Sequence, residues 1–186
     1  MPPILALRRV SVCVTDPGTE AMAGSESFEE FYTGAVGRLL GQLFPVTGDL
    51  HEAEEVAQEA FARASVRWAR LRDYDVPEAW VRRVAMRLAA DRARSLRRQT
   101  RAILKLSPPR EVPAVSVEAL ALAEALRTLP IRQRQVIVLH HLVDLPVEEV
   151  ARTLAIPDGT VKSLLARGRK ALAAKLAEPE EVLYPG

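Results

Sequence analysis

The sequence predicts an all-α chain of two helical modules joined by a flexible linker, the second module containing a helix–turn–helix. Three observations predict this. Apolar residues recur at steps of three and four along most of the chain, the period of one helix face. Apolar residues make up 48% of the 186 residues, mostly Ala, Leu and Val, with only 5% aromatic, which favours helices over an aromatic-rich sandwich. The stretch 107–116 has three prolines and no helical period, and it divides the pattern in two.

The elements follow in order. Residues 1–25 carry prolines, glycines and no sustained period, so they read as a disordered tail. Met22, just before the first helix signal, is an alternative start to Met1. Ser27 and Glu30 have the spacing of a capping box. Phe28, Phe31, Tyr32, Ala35, Leu39 and Leu43 then define a helix to about Phe44, which Pro45 is expected to break. Asp49 and Glu52 open a second helix with an apolar face of Ala53, Val56, Ala60, Phe61, Ala64, Trp68 and Leu71. A polar turn at 72–76 precedes Pro77, which suits the first turn of a third helix reaching to about Leu104. After the linker, Leu120, Leu122, Ala125, Leu126 and Leu129 belong to one helix and Arg132 to Val143 to the next. Pro146 opens a helix over 147–154, a turn occupies 155–158, and a last helix runs from Gly159 to about Ala177. The expected organisation is a tail at 1–25, modules at 26–106 and 117–178 around the linker at 107–116, and a second tail at 179–186.

Several function classes are excluded at this level. A single cysteine, Cys13, cannot form an internal disulfide framework or a cysteine-based zinc cage. His140 and His141 are adjacent, so on a helix they diverge and do not easily share a metal. There is no glycine-rich phosphate loop and no serine-nucleophile elbow. The apolar runs are far shorter than the ~20 residues of a spanning helix. Arg8 and Arg9 follow the apolar stretch 4–7, the wrong order for a signal peptide. The expectation is a cytoplasmic protein with no membrane insertion, no cofactor and no metal.

The net charge of +2 carries no information, but its distribution does. Residues 49–61 hold five acids and no Lys or Arg. They read either as a solvated helix face with acids near its positive end or as a docking face for a basic partner. On the second reading Glu55, Gln58 and Glu59 carry the contact, with Arg63 on the rim. Residues 80–105 hold eight arginines and one lysine against a single acid, Asp91. Arg83, Arg87, Arg94, Arg98 and Arg101 fall close to one stripe. A single-sign stripe repels itself, which is tolerable when a polyanion neutralises it. The last helix has five cations and no acid between Gly159 and Leu176. Val161, Leu164 or Leu165, Gly168 and Leu172 face its core. Lys162, Ser163, Ala166, Arg167, Arg169 and Lys170 are left outside, as a recognition helix requires. The alternative is a helical hairpin with a basic face. Trp68 and Trp80 read as core rather than as stacking platforms.

Three groups of residues resemble one family in its own order. Ala53-Glu54-Glu55-Val56-Ala57-Gln58-Glu59-Ala60-Phe61 is similar to the core-polymerase docking helix of bacterial sigma factors. Trp80-Val81-Arg82-Arg83-Val84-Ala85, followed by Asp91, is similar to their helix beside the minus-ten element. Leu129-Pro130-Ile131-Arg132-Gln133-Arg134 and Gly159-Thr160-Val161-Lys162-Ser163 are similar to the region that reads the minus-thirty-five element. The chain thus resembles the sigma-70 family, in its small extracytoplasmic-function group, over roughly 28–176.

The resemblance implies binding to core RNA polymerase and promoter DNA, an anti-sigma factor as a possible partner, and no catalysis by this chain. It places a base-capturing loop before the third helix. There Tyr74 would stack on a base, Asp73 would accept from one, and Arg82, Arg83 and Arg87 would hold adjacent phosphates. Tyr74 as a mere cover for the helix junction is the other reading. In the last helix Thr160, Lys162, Ser163 and Ala166 would meet base edges, and Arg167, Arg169 and Lys170 the backbone. Three positions depart from the family: Arg87 stands where Asn is common, Leu164 where Arg is common, and Ala155 where Gly is common. An ordinary helix–turn–helix regulator and a metal-dependent nucleic-acid-processing enzyme are the competing classes.

Overall fold

The computed structural model describes residues 27–100 and 117–177, so the expected linker and both tails lie outside the described residues. Helix α1 spans Phe28–Thr47. Its capping box forms as the spacing predicts: the Glu30 N–H donates to Ser27 Oγ at 3.2 Å, and the Ser27 N–H to Glu30 Oε2 at 2.8 Å. The expected break at Pro45 is corrected, because Pro45 lies inside the helix, which ends at Gly48 with φ 75°. A proline in the last turn forfeits one backbone donor only. The Thr47 hydroxyl meanwhile donates to the Leu43 carbonyl at 3.1 Å and helps hold that turn.

Helix α2 (Leu50–Ser65) starts at Asp49, whose carboxylate accepts from the Glu52 N–H at 2.8 Å. The apolar stripe expected to run through to Leu71 is interrupted. α2 stops at Ser65 and a single turn, α3 (Trp68–Leu71), resumes it. The interruption re-aims Trp68, which stacks on Phe31 at 4.8 Å between ring centroids and meets Phe28 edge-on at 5.6 Å. Helix α4 (Pro77–Thr100) begins at the predicted proline.

The second module comprises α5 (Val117–Arg127), α6 (Ile131–Ile137), α7 (Val147–Leu154) and α8 (Asp158–Ala177). α6 runs directly into a wider π-helical turn, Val138–Leu142. In α5 the inward residues are Ala123 and Leu126, while Leu120 and Leu122 are exposed and Leu129 is buried beyond the helix end.

α1, α2 and α4 pack together as the first module, and α8 packs on α6 and α7 in the second. The modules also pack on each other: α1 meets α5 and α6, and α4 meets α6 and α7. Two buried side chains cross this seam. Arg134 donates from Nη1 to the carbonyls of Val46 (2.7 Å) and Thr47 (3.3 Å), and Gln135 donates from Nε2 to the Met86 carbonyl (2.5 Å).

Candidate nucleic-acid interface

The helix–turn–helix is built from α7 and α8. Ala155 takes the left-handed conformation (φ 52°), and its N–H caps α7 by donating to the Ala151 carbonyl. Glycine takes this conformation without the Cβ penalty, which accounts physically for a small residue here. The Pro157 carbonyl then accepts from Thr160 and Val161 as α8 starts. Val161 and Leu165 are buried, and Leu164 is half-buried, so Leu165 is the core member of that pair. Gly168 lies against Ile137, whose Cδ1 would stand 2.5 Å from any Cβ added there.

This inward face leaves Lys162, Ser163, Ala166, Arg167, Arg169 and Lys170 exposed, with Thr160 half-buried at the start. Arg167 folds back along the helix, donating to the Ser163 carbonyl (3.2 Å) and to Ser163 Oγ (3.3 Å). Ser163 Oγ itself donates to the Thr160 carbonyl at 3.0 Å. Lys162, Arg169 and Lys170 have no acidic partner among the described residues. His141, from the π-helical turn, sits near Arg169. Burial, then His140 and Arg169, hold its pKa below the usual histidine range.

The α4 arginines divide by direction. Arg83, Arg87 and Arg94 are exposed, Arg94 being paired with Asp91. The Arg98 side chain and Arg101 lie outside the described residues. Arg82 differs from the phosphate-holding expectation. Its side chain is 11% exposed, its Nε donates to Gln42 Oε1 at 3.0 Å, and Glu78 lies 3.9 Å away. One helical step of 100° swings it off the stripe that Arg83 and Arg87 share. The loop before α4 presents Asp73 and Tyr74 to solvent. Tyr74 is 53% exposed.

On α2, Glu55, Gln58, Glu59 and Ala62 line a shallow concavity of about 350 Å³ together with Arg92 of α4. Glu55 is held by Arg92 at 2.7 Å and faces His51 at 3.4 Å, and Arg63 donates to Glu59 at 3.0 Å. The acidic face is thus partly neutralised by its own chain. Sequence reasoning missed Arg92 as a partner, although the signal was present. Nine residues separate it from Arg83, which is half a turn out of phase with the basic stripe. Among the described residues no group of three or more His, Cys, Asp or Glu could hold a metal ion. No helix there is long and apolar enough to cross a membrane.

The chain matches two family models, Sigma-70 region 2 over residues 31–99 and Sigma-70, region 4 over residues 119–172. It is 31% identical over 151 residues to an RNA polymerase sigma-E factor of Streptomyces coelicolor, covering 80% of this chain and 85% of the relative. It is 32% identical over 154 residues to the ECF RNA polymerase sigma factor SigW of Bacillus subtilis, covering 73% and 81%. Among solved structures it resembles CnrH in complex with the cytosolic domain of CnrY, with a TM-score of 0.57, 26% identity, and coverage of 82% of this chain and 89% of that one. The sigma factor RpoE of Bartonella quintana, solved with the anti-sigma factor NepR, shares the fold at a TM-score of 0.64 and 19% identity, covering 82% and 98%. With both modules matched in order and the relatives covered over most of their length, the chain belongs to the sigma-70 family of RNA polymerase sigma factors, in its extracytoplasmic-function group.

Proposed function

We propose that the two exposed basic surfaces and the acidic concavity divide the work of a sigma factor among named residues. A sigma factor binds core RNA polymerase and directs it to promoters, and the polymerase performs the chemistry. In this chain the α2 surface of Glu55, Gln58 and Glu59, rimmed by Arg63, docks the core enzyme. Arg83 and Arg87 hold phosphates beside the minus-ten element, while Tyr74 and Asp73 engage an unstacked base. Arg82, tied to Gln42 and Glu78, positions α4 on α1 and leaves the phosphate contacts to its neighbours. Thr160, Lys162, Ser163 and Ala166 meet the base edges of the minus-thirty-five element; Arg167, Arg169 and Lys170 meet its backbone. An anti-sigma factor is a partner of the kind the solved relatives display, and the work is done in the cytoplasm, where polymerase is. This chain itself catalyses nothing.

The observation that carries the reading is the unpartnered outer face of α8. Three cations without acids cost self-repulsion, which a duplex removes by giving up its own counterions. The test is binding of Lys162→Ala and Arg169→Ala proteins to a promoter duplex and a scrambled duplex over a salt series. Arg169→Ala should weaken both duplexes alike and reduce the salt slope by about one. Lys162→Ala should relax preference at one or two positions, at a cost of ~1–3 kcal/mol. The reverse pattern would overturn the division of α8. For the docking face, Glu55→Lys with Glu59→Lys should weaken capture by core polymerase while helicity is kept. Undiminished capture would remove that assignment. Run-off transcription with core enzyme separates this reading from an ordinary helix–turn–helix regulator, which would not support it.

A further inference from the structure

We propose, building on the reading of α8 as the duplex-binding helix, that His141 makes a further contact to the DNA backbone, one formed only when its imidazole carries a proton. Duplex binding then draws a proton onto the chain. His140 and His141 stand in the π-helical turn that ends α6, Val138–Leu142. Their rings meet edge-on at 63°, with centroids 4.7 Å apart. His140 turns back on its own turn. Its Nδ1 lies 2.8 Å from the Leu145 carbonyl, which can only accept, so Nδ1 carries a hydrogen there. His141 is exposed and has no carboxylate partner among the described residues. The crossing of α6 and α8 brings it to the basic face. Gly168 lets the α8 backbone lie against Ile137, where an added Cβ would stand 2.5 Å from Cδ1. Arg169 follows Gly168 directly, and His141 follows Ile137 by four residues, about one helical turn. The imidazole and the exposed guanidinium therefore share one edge of the module.

Without DNA this imidazole is kept neutral. Partial burial of the ring, then the charges of His140 and Arg169, hold its pKa below the ordinary value of 6.5. Those two are the charged groups that face it. α1, α6 and α7 also pack on the turn, but present no charged side chain that acts on it, and neither does Asp144 just beyond. A backbone phosphate held by Arg169 reverses the balance. It cancels the push of the guanidinium and gives the imidazolium an anion to bond. The bound chain then holds the proton more tightly than the free one. Affinity rises as pH falls through the bound-state value and levels off below the free-state value, itself under 6.5. The lysines and arginines of α8 stay charged throughout this range and add no such dependence. The chain has three histidines, and the third, His51, lies on α2 of the other module, 3.4 Å from Glu55.

The test is duplex binding by the full chain from about pH 8 to about pH 5.5 at fixed ionic strength. Fluorescence anisotropy reads it on a labelled duplex selected with the unmodified chain and on a scrambled version. The unmodified chain should bind both duplexes about three- to tenfold more tightly at the acid end. Its salt slope should be steeper there by up to about one. His141→Gln should lose this gain on both duplexes. His141→Arg should bind at the alkaline end about as tightly as the unmodified chain does in acid, because its charge is permanent. His51→Gln and His140→Gln should each keep the gain. His141 is exposed, so its replacement leaves the core of the module intact. A gain that survives in His141→Gln, or that vanishes with His140→Gln or His51→Gln instead, would overturn the assignment. If the unmodified chain binds duplex equally well at both ends of the range, α8 keeps its role and the His141 contact falls. If it binds neither duplex at any pH, the reading of α8 itself fails and takes the contact with it.

Discussion

In the first module the rings of Phe28, Phe31, Tyr32, Phe61 and Trp68 interlock, with Tyr32 and Phe31 meeting Phe61 edge-on at 4.9 and 5.9 Å. In the second, residues 117–177 contain no Phe, Tyr or Trp. Its core is Val, Ile, Leu and Ala, and its geometry is set by backbone devices. These are a π-helical turn, a left-handed Asp144 (φ 57°), a left-handed Ala155 (φ 52°) and the close approach of Gly168 to Ile137. Large rings bury much area per residue and tolerate little loss. A small aliphatic module depends instead on the fit of a few turns. Stability in the two modules should therefore respond to different kinds of substitution.

The largest effect should come from the rings. Phe61→Ala removes the centre of the cluster, and the loss expected from urea unfolding is about 3–5 kcal/mol. A smaller loss would show that the aliphatic residues of α1 and α2 carry the first module. In the second module, Gly168→Ala should cost about 1–2 kcal/mol. Overpacking against the buried Ile137 costs ~1–3 kcal/mol, and the better helix propensity of Ala returns up to ~1 of it. Ala155→Gly should act in the opposite direction, raising stability by about 1 kcal/mol by relieving the left-handed strain, as thermal unfolding would read. If both changes were neutral, the backbone account of this module would fail.

The smallest effect belongs to the seam. Burial chiefly, then Asp49, pushes the Glu52 carboxyl above the usual carboxylate range, against the pull of Arg92 and Arg134. A raised folded-state value means the folded chain holds this proton more tightly. The contribution of Glu52 is then fully present below the ordinary value of 4.5 and is lost as pH rises through the raised one. Glu52→Gln should therefore be more stable than the unmodified chain at pH 7, and the difference should vanish in acid. A gap that widens as pH falls would reverse the assignment.

Helix starts were legible in the sequence because their signals are local: Ser27 with Glu30, Asp49, Pro77 and Pro146 each act within four residues. The α8 surface was legible because one helix face is fixed by a period of 3.6 residues. What stayed hidden depends on distance along the chain. Nothing near Arg82 announces Gln42, and nothing near Arg134 announces the end of α1, some 88 residues earlier. Pro45 was misread for a related reason. Its cost depends on its place within the helix, and that place was fixed by Thr47 and Gly48 beyond it.

The uneven distribution of rings also decides what light can report. Trp68, stacked on Phe31, and Trp80, 5.9 Å beneath the Arg67 guanidinium, are the chain's two tryptophans, and both belong to the first module. Tryptophan emission during denaturation follows that module alone, while far-ultraviolet circular dichroism weighs the helices of both. Modules that melt as one body give coincident curves from the two signals. Modules that melt apart separate them, so the interval between two ordinary melting curves becomes a measure of how tightly the halves are coupled.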